Sequence, residues 1–486
     1  MSRTFSALLL VTFWQAGCAQ LAGLDETSGD GRNGVSLAFE RVSIGSTVVK
    51  SPLDLTGRAA TYLVPDDDEP SGLVRVDAVQ SGLDTWTAEI FDATPAVQFD
   101  LPDFPTPNQR LWDYPNKTLL GGFNVLEHPN PTPVAPQSLL TVNVTLDVAY
   151  STELLQLFTV GSWNVRNLEA PAVGALVVAP PAFQISTMTS LTGRPHEKLT
   201  TSDTLHVLRY LANDLVGAVE IPPFDQTGND TLTGTMTPVA HDRMLDIRIN
   251  PADATTRYSA ARPTVPNLAF SWALRAAPGF EQNNDNGPLL NALAVAPTDT
   301  MVQVAYGNPF DAKGWKSTLT WATSATRTFT PAGQVLPATL SASMTQRVVD
   351  PTAAQVLDLP AGLPELISID GRSLSTDGMT LTAPTRAVEV TFIIDRASAT
   401  LFQVQLFELV PNEGGTALQL QLVISASGIA PRFSLPPELF QVGKTYTLRA
   451  VSIDGGFPGV AEGDLRTRSL PIATSFLDSG VFQVVP

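Results

Sequence analysis

The chain has 486 residues, with 47 acidic against 29 basic side chains and a net charge of −18. A surface this acidic repels phosphate backbones and anionic headgroups, which excludes nucleic acid as a partner and purely electrostatic adsorption to a membrane. One cysteine, at position 18, leaves the rest of the chain without disulfides or thiolate metal sites, and the length allows two to four domains with ordinary cores.

Arg3 precedes an apolar run over residues 5–14, far shorter than the roughly 20 residues of a membrane helix, and small residues follow. This is the pattern of an export signal. Cys18 stands behind Gln15, Ala16 and Gly17. The tetrad resembles a bacterial lipobox, with Gln15 where leucine is commonest. The resemblance implies that residues 1–17 are a removed signal peptide and that the Cys18 sulfur carries a diacylglyceryl group. It also implies that the new amine is acylated. Ala19, where aspartate would favour inner-membrane retention, points to the outer membrane or cell surface. Several acyl chains at about 0.8 kcal/mol per buried methylene hold a protein stably. The alternative is an ordinary secretory signal, with Cys18 a free thiol or removed.

Residues 18–34 are polar and Gly-rich and form a flexible tether. From Val35 the chain alternates: Val35, Leu37 and Phe39 against Ser36, Ala38 and Glu40. Further short segments follow at 58–64, 72–79, 85–91 and 96–101, bounded by Pro, Gly, Asp or Ser. This spacing predicts an antiparallel sandwich over 35–164, and Trp86 is its expected core aromatic. The turn Ser81-Gly82-Leu83-Asp84 before Trp86 resembles the entry to a late strand of bacterial immunoglobulin-like modules. Proline-rich breaks fall at 104–107 and 128–136. Strand patterns at 119–126, 139–148 and 154–163 either complete this sandwich or open the next.

A middle β domain is expected over 165–357. Residues 170–183 are apolar but carry Pro171, Pro180 and Pro181, and read as a linker or Pro-bounded strand. At 204–211 a short helix competes with a strand. Segments 216–221, 231–236, 244–249, 268–276, 301–306, 317–323 and 339–344 read as strands, and no long run has a clear helical period. A boundary is expected at 357–363.

Within 358–486, alternating residues Val388, Val390, Phe392 and Ile394, then Leu418, Leu420, Leu422 and Ile424, mark two strands. Gly443-Lys444-Thr445-Tyr446-Thr447-Leu448-Arg449-Ala450 resembles the strand F entry of fibronectin type III and immunoglobulin-like domains. The resemblance implies a tyrosine corner at Tyr446, with Leu448 and Ala450 facing the core. The fold class is therefore all-β: tandem antiparallel immunoglobulin-like sandwiches after a signal peptide and tether.

Candidate chemistry is sparse. The Gly-rich stretch 453–470 carries Asp454, Glu462 and Asp464, oxygen ligands that could hold calcium, although the spacing is not that of a calcium loop and a solvated loop is the simpler reading. The tip Asp66-Asp67-Asp68-Glu69 reads the same way. Tyr306, Phe310 and Trp315, with Trp321, surround one turn and could stack on sugar rings, or could be core. The four histidines, His128, His196, His206 and His241, lack metal-binding spacing, and no nucleophile elbow or phosphate loop occurs. No metal or cofactor is expected. The sequence thus reads as a non-enzymatic, lipid-anchored envelope protein acting as a structural, adhesion or binding module. Its membrane contact is the lipid at Cys18, and its other partner is an envelope protein or glycan. The alternatives are a glycan-binding lipoprotein and a glycan hydrolase with dispersed carboxylates.

Overall fold

The computed structural model describes residues 32–486, except 45–47, 92–95, 101–108, 114–117, 126–127, 131, 136–137, 163, 191–195, 250, 262–266, 278–287, 296–299, 352–353, 358–360 and 397. Cys18, most of the expected tether, the 104–107 break and residues 358–360 of the expected boundary therefore lie outside the described residues. The chain is 57% strand and 6% helix, an all-β protein of several packed sheets.

The first sandwich follows its sequence closely. Arg32–Ile44 lies between Thr85–Phe91, antiparallel, and Thr118–Val125, parallel. Its inward residues Val35, Leu37 and Phe39 are buried. They face a second layer of Ala60–Pro65, Leu73–Asp77, Ala96–Asp100 and Gln109–Asp113. Trp86 packs at 6.3 Å from both Phe39 and Phe99, ring centre to ring centre, as core aromatics of alternating strands should.

Leu139–Thr145 belongs elsewhere. It pairs in parallel with Asp230–Thr235 and antiparallel with Val177–Val178 and Phe183–Gln184, opening a second sandwich. The expected unit 35–164 is thus divided within the proline-rich stretch 126–138, because Thr118–Val125 pairs with the first sheet and Leu139–Thr145 with the next. Opposite lie Leu154–Val160, Thr204–Leu211 and Asp214–Ile221. Thr204–Leu211 is a strand, buried over all but its last residue. Leu205 and Val207 face the second sandwich, while Leu208 and Tyr210 enter the main core. Burial on both faces removes the alternation that distinguishes a strand from a buried helix.

One long ladder then crosses the expected boundary near 357. It runs Pro288–Val295, Asn267–Ala277, Lys316–Phe329, Ala338–Val349, Ile472–Asp478, Thr445–Gly455, Leu401–Pro411 and Leu418–Gly428. Ala338–Val349 pairs with Ile472–Asp478 from Ala342 opposite Leu477 to Arg347 opposite Ile472. The smaller sheet of Pro364–Ile369, Val388–Ile394 and Arg432–Leu435 covers its C-terminal part, and the two-residue turn Asp370-Gly371, both at positive φ, closes its hairpin. The separate domains expected at 165–357 and 358–486 therefore share backbone hydrogen bonds.

Contrary to the expectation of no helical run, Pro251–Ala261 is an α-helix. Its buried positions Ala254, Arg257 and Tyr258 do follow a helical spacing. A small residue and a charged one among them mask the apolar signal. Arg257 donates to both carboxylate oxygens of Asp395 and to the Ala361 carbonyl, fixing the helix to the C-terminal sandwich.

Candidate functional site

A buried constellation of one histidine and two carboxylates lies in the second sandwich, at the connector from the first. His128 follows directly after residues 126–127, at the head of the proline-rich connector. Its Nδ1 is 2.7 Å from Glu197 Oε2, and its Nε2 is 3.0 Å from Asp203 Oδ2, the latter in ion-pair rather than hydrogen-bond geometry. All three side chains are less than one-tenth exposed. Backbone donors complete the carboxylates. Ser162 N–H donates to Asp203 Oδ1 at 2.9 Å, Thr200 N–H to Asp203 Oδ2 at 2.7 Å, and His128 N–H to Glu197 Oε2 at 3.1 Å.

Burial by itself opposes an imidazolium here. The Asp203 and Glu197 carboxylates more than reverse that, and His128 is raised to about 9. The group is a stored proton between two carboxylates, closed to solvent. Gly161, at φ +113°, makes the approach possible, since a Cβ there would lie 2.4 Å from Asp203 Oδ1. The connector is also tied by its backbone: Lys198 N–H donates to Thr132 O at 2.7 Å and Val134 N–H to His196 O at 3.2 Å. Positions 128, 197 and 203 share no motif spacing, so no sequence pattern signals this cluster.

The expected sugar platform faces inward. Tyr306, Phe310 and Trp315 are buried, with Phe310 stacked on Trp315 at 5.0 Å and edge-on to His206 at 4.8 Å. A ring with both faces packed has none left for a sugar, so these residues are core. Asn308 shapes the turn: its Oδ1 accepts from Phe310 N–H at 3.0 Å, and its Nδ2 donates to Trp315 O at 3.0 Å. Burial, followed by the nearby Lys313 charge, lowers His206 to about 3, so it is neutral at ordinary pH.

The acidic stretch 453–470 is no free loop. Asp464–Leu465 adds in parallel to Leu120 and Gly121 of the first sandwich, and Phe457 and Val460 pack on that core. Asp464 accepts from Arg466 Nε at 3.0 Å and Nη2 at 2.7 Å, contacts that hold its carboxyl below the usual range. Glu462 is exposed and Asp454 half-buried. Among the described residues no group of three His, Cys, Asp or Glu side chains is arranged to hold a metal ion. The loop welds the C-terminal part of the chain to the first sandwich instead of presenting ligands.

The tyrosine-corner contact is present. Gln441 N–H donates to Tyr446 Oη at 3.0 Å, and the ring stacks on Phe482 at 5.9 Å.

No family model and no curated protein matches the chain. A structure of the Streptococcal ancillary pilin aligns with 60% of this chain and 89% of its own, at 9% identity and a TM-score of 0.11. Trypsin-activated alpha-2-macroglobulin from Escherichia coli aligns with 94% of this chain at 9% identity and a TM-score of 0.14. Salmonella alpha-2-macroglobulin reacted with methylamine aligns with 93% at 12% identity and a TM-score of 0.11. The alignments span 42% and 29% of the two macroglobulin chains. TM-scores this low transfer neither a fold nor a function.

Proposed function

We propose that this protein is a lipid-anchored component of the bacterial envelope whose β body serves as a non-enzymatic structural, adhesive or binding module. The observation that carries the reading is the order of segments. An export signal ends in Gln15-Ala16-Gly17-Cys18, a short polar stretch follows, and the first strand begins at Arg32. A covalent lipid is the anchor that an acidic body with a net charge of −18 requires, since it gains nothing from anionic headgroups. The body suits load or spacing: its sheets share ladders, and its buried charges are engaged in ties between segments far apart in sequence. The glycan reading loses its aromatic residues to the core and is not carried further.

The test is Cys18→Ala in the full chain. The variant is expected to move from the membrane fraction to the soluble one and to lose incorporation of labelled fatty acid. Full retention of the variant in membranes would remove the anchor from this account.

A further inference from the structure

Residues 170–193 form the longest uncharged run of the chain, 24 residues between Glu169 and Arg194. Part of it makes an exposed apolar turn. Ala175 N–H donates to Ala172 O at 2.9 Å, and Gly174 takes a φ of +88°, so Val173 and Gly174 are the central residues of a tight turn. Turn tips are usually built from Asn, Asp, Ser, Gly or Pro. Here Val173 is 77% exposed at the tip, flanked by Leu176 at 55% and Val177 at 43%. Val148, 49% exposed, lies alongside, because residues 174–178 run along 144–150.

The turn is held firmly. Gly174 N–H donates to Tyr150 O at 2.8 Å, Tyr150 N–H to Ala175 O at 2.9 Å, and Leu146 N–H to Leu176 O at 2.8 Å. These apolar side chains are therefore displayed on a rigid support at the edge of the second sandwich, at a standing cost in exposed hydrocarbon.

We propose that the turn bearing Val173, Leu176 and Val177, with Val148 on the adjoining segment, is a bilayer-contact surface that seats the anchored body on the lipid from which it is tethered. Three observations select lipid over protein. First, a handful of side chains at a turn tip falls far below the roughly 800 Å² per partner of a stable protein interface, yet suits insertion of about 5–10 Å into the headgroup boundary. Second, Pro171, Pro180 and Pro181 interrupt this sheet edge, so it cannot accept a long added strand. Third, the exposed part of the uncharged run, residues 172–177, carries no charge of its own for anionic headgroups to repel. The inference rests on the lipid anchor at Cys18. Arg32, where the strand begins, is only fourteen positions beyond Cys18, at most about 50 Å of fully extended chain, so the anchored body stays near the bilayer and weak contacts suffice.

The chain supports a direct test, because Cys18 is its single cysteine and acylation removes that thiol from labelling. Leu176→Cys in the full lipidated protein is labelled with an environment-sensitive fluorophore and bound to vesicles of phosphatidylethanolamine and phosphatidylglycerol containing brominated lipid. Val335→Cys, at a site 92% exposed between the strands Lys316–Phe329 and Ala338–Val349 and outside the second sandwich, is the reference. The expected result is a blue shift and at least about twofold stronger bromine quenching at 176 than at 335, as shallow insertion requires. Equal quenching at both sites, with the protein floating with the vesicles, overturns the bilayer-contact surface and leaves the anchor standing. Failure to float overturns the anchor and this inference together. Shielding of the 176 probe that grows with protein concentration in the absence of lipid assigns the turn to a second copy and also overturns the inference.

Discussion

At the scale of single residues, the buried polar contacts make the sharpest commitments. Tyr446→Phe removes one hydrogen bond while keeping the ring stacked on Phe482, and is expected to cost about 0.5–1.5 kcal/mol. A lower urea midpoint at unchanged m-value is the measurement, and an unchanged midpoint would count against the corner. His128 carries a pH dependence. Its pKa is raised from 6.5 in the unfolded chain to about 9 in the fold, so its contribution is fully present below pH 6.5 and lost as pH rises through 9. Unfolding free energy is therefore expected to fall across that window. In His128→Gln the fall should vanish and stability at neutral pH should drop by roughly 3–5 kcal/mol, because two carboxylates lose the charge between them. A variant with the wild-type slope would show that the proton resides elsewhere. Tyr446 was legible in the sequence because its contact is local, five residues back. His128, Glu197 and Asp203 were not, because nothing in their spacing reports that the fold brings them together.

Elements were legible where they have one wet face. Residues 85–91 and 388–394 alternate, and their strands lie where the alternation places them. Pro251–Ala261 escaped because its inward face spends a position on Arg257, which Asp395 accepts. The stretch 453–470 looked like a binding loop because glycine and acid are the composition of such loops. It docks instead against a glycine of the facing strand Thr118–Val125: a Cβ on Gly122 would lie 3.1 Å from the Arg466 Cα and 3.2 Å from its carbonyl oxygen. Gly122→Val is therefore expected to lift Asp464–Leu465 from the first sheet. Cleavage by trypsin at Arg466 and Arg468 should then accelerate in the otherwise native protein. Unaltered protection at those sites would show that the docking does not depend on this approach.

At the scale of the whole molecule, the first sandwich and the C-terminal part of the chain are sewn together. Gln109–Asp113 adds in parallel to Leu418–Gly428, from Gln109 opposite Ile424 to Asp113 opposite Gly428. Ala338–Val349 pairs with Ile472–Asp478, and Asp464–Leu465 pairs with the first sheet. Residues 358–486 produced alone would leave the partner edges of Leu418–Gly428 and Ile472–Asp478 bare, and open edges invite pairing with other chains. The fragment is expected to aggregate or to run as an oligomer in size-exclusion chromatography. A stable folded monomer would show that the shared ladders are dispensable.

The all-β class, most strand positions and Trp86 as a core aromatic follow from alternation and turn residues, which are local physics. The tertiary structure settled the rest. It paired Leu139–Thr145 with the second sandwich, buried Phe310 between Trp315 and His206, and turned an acidic loop into a tie between the first sandwich and the C-terminal part of the chain. Each of those outcomes depends on which distant strand or side chain supplies the partner, and strand pairing across hundreds of residues leaves no period for a sequence to display.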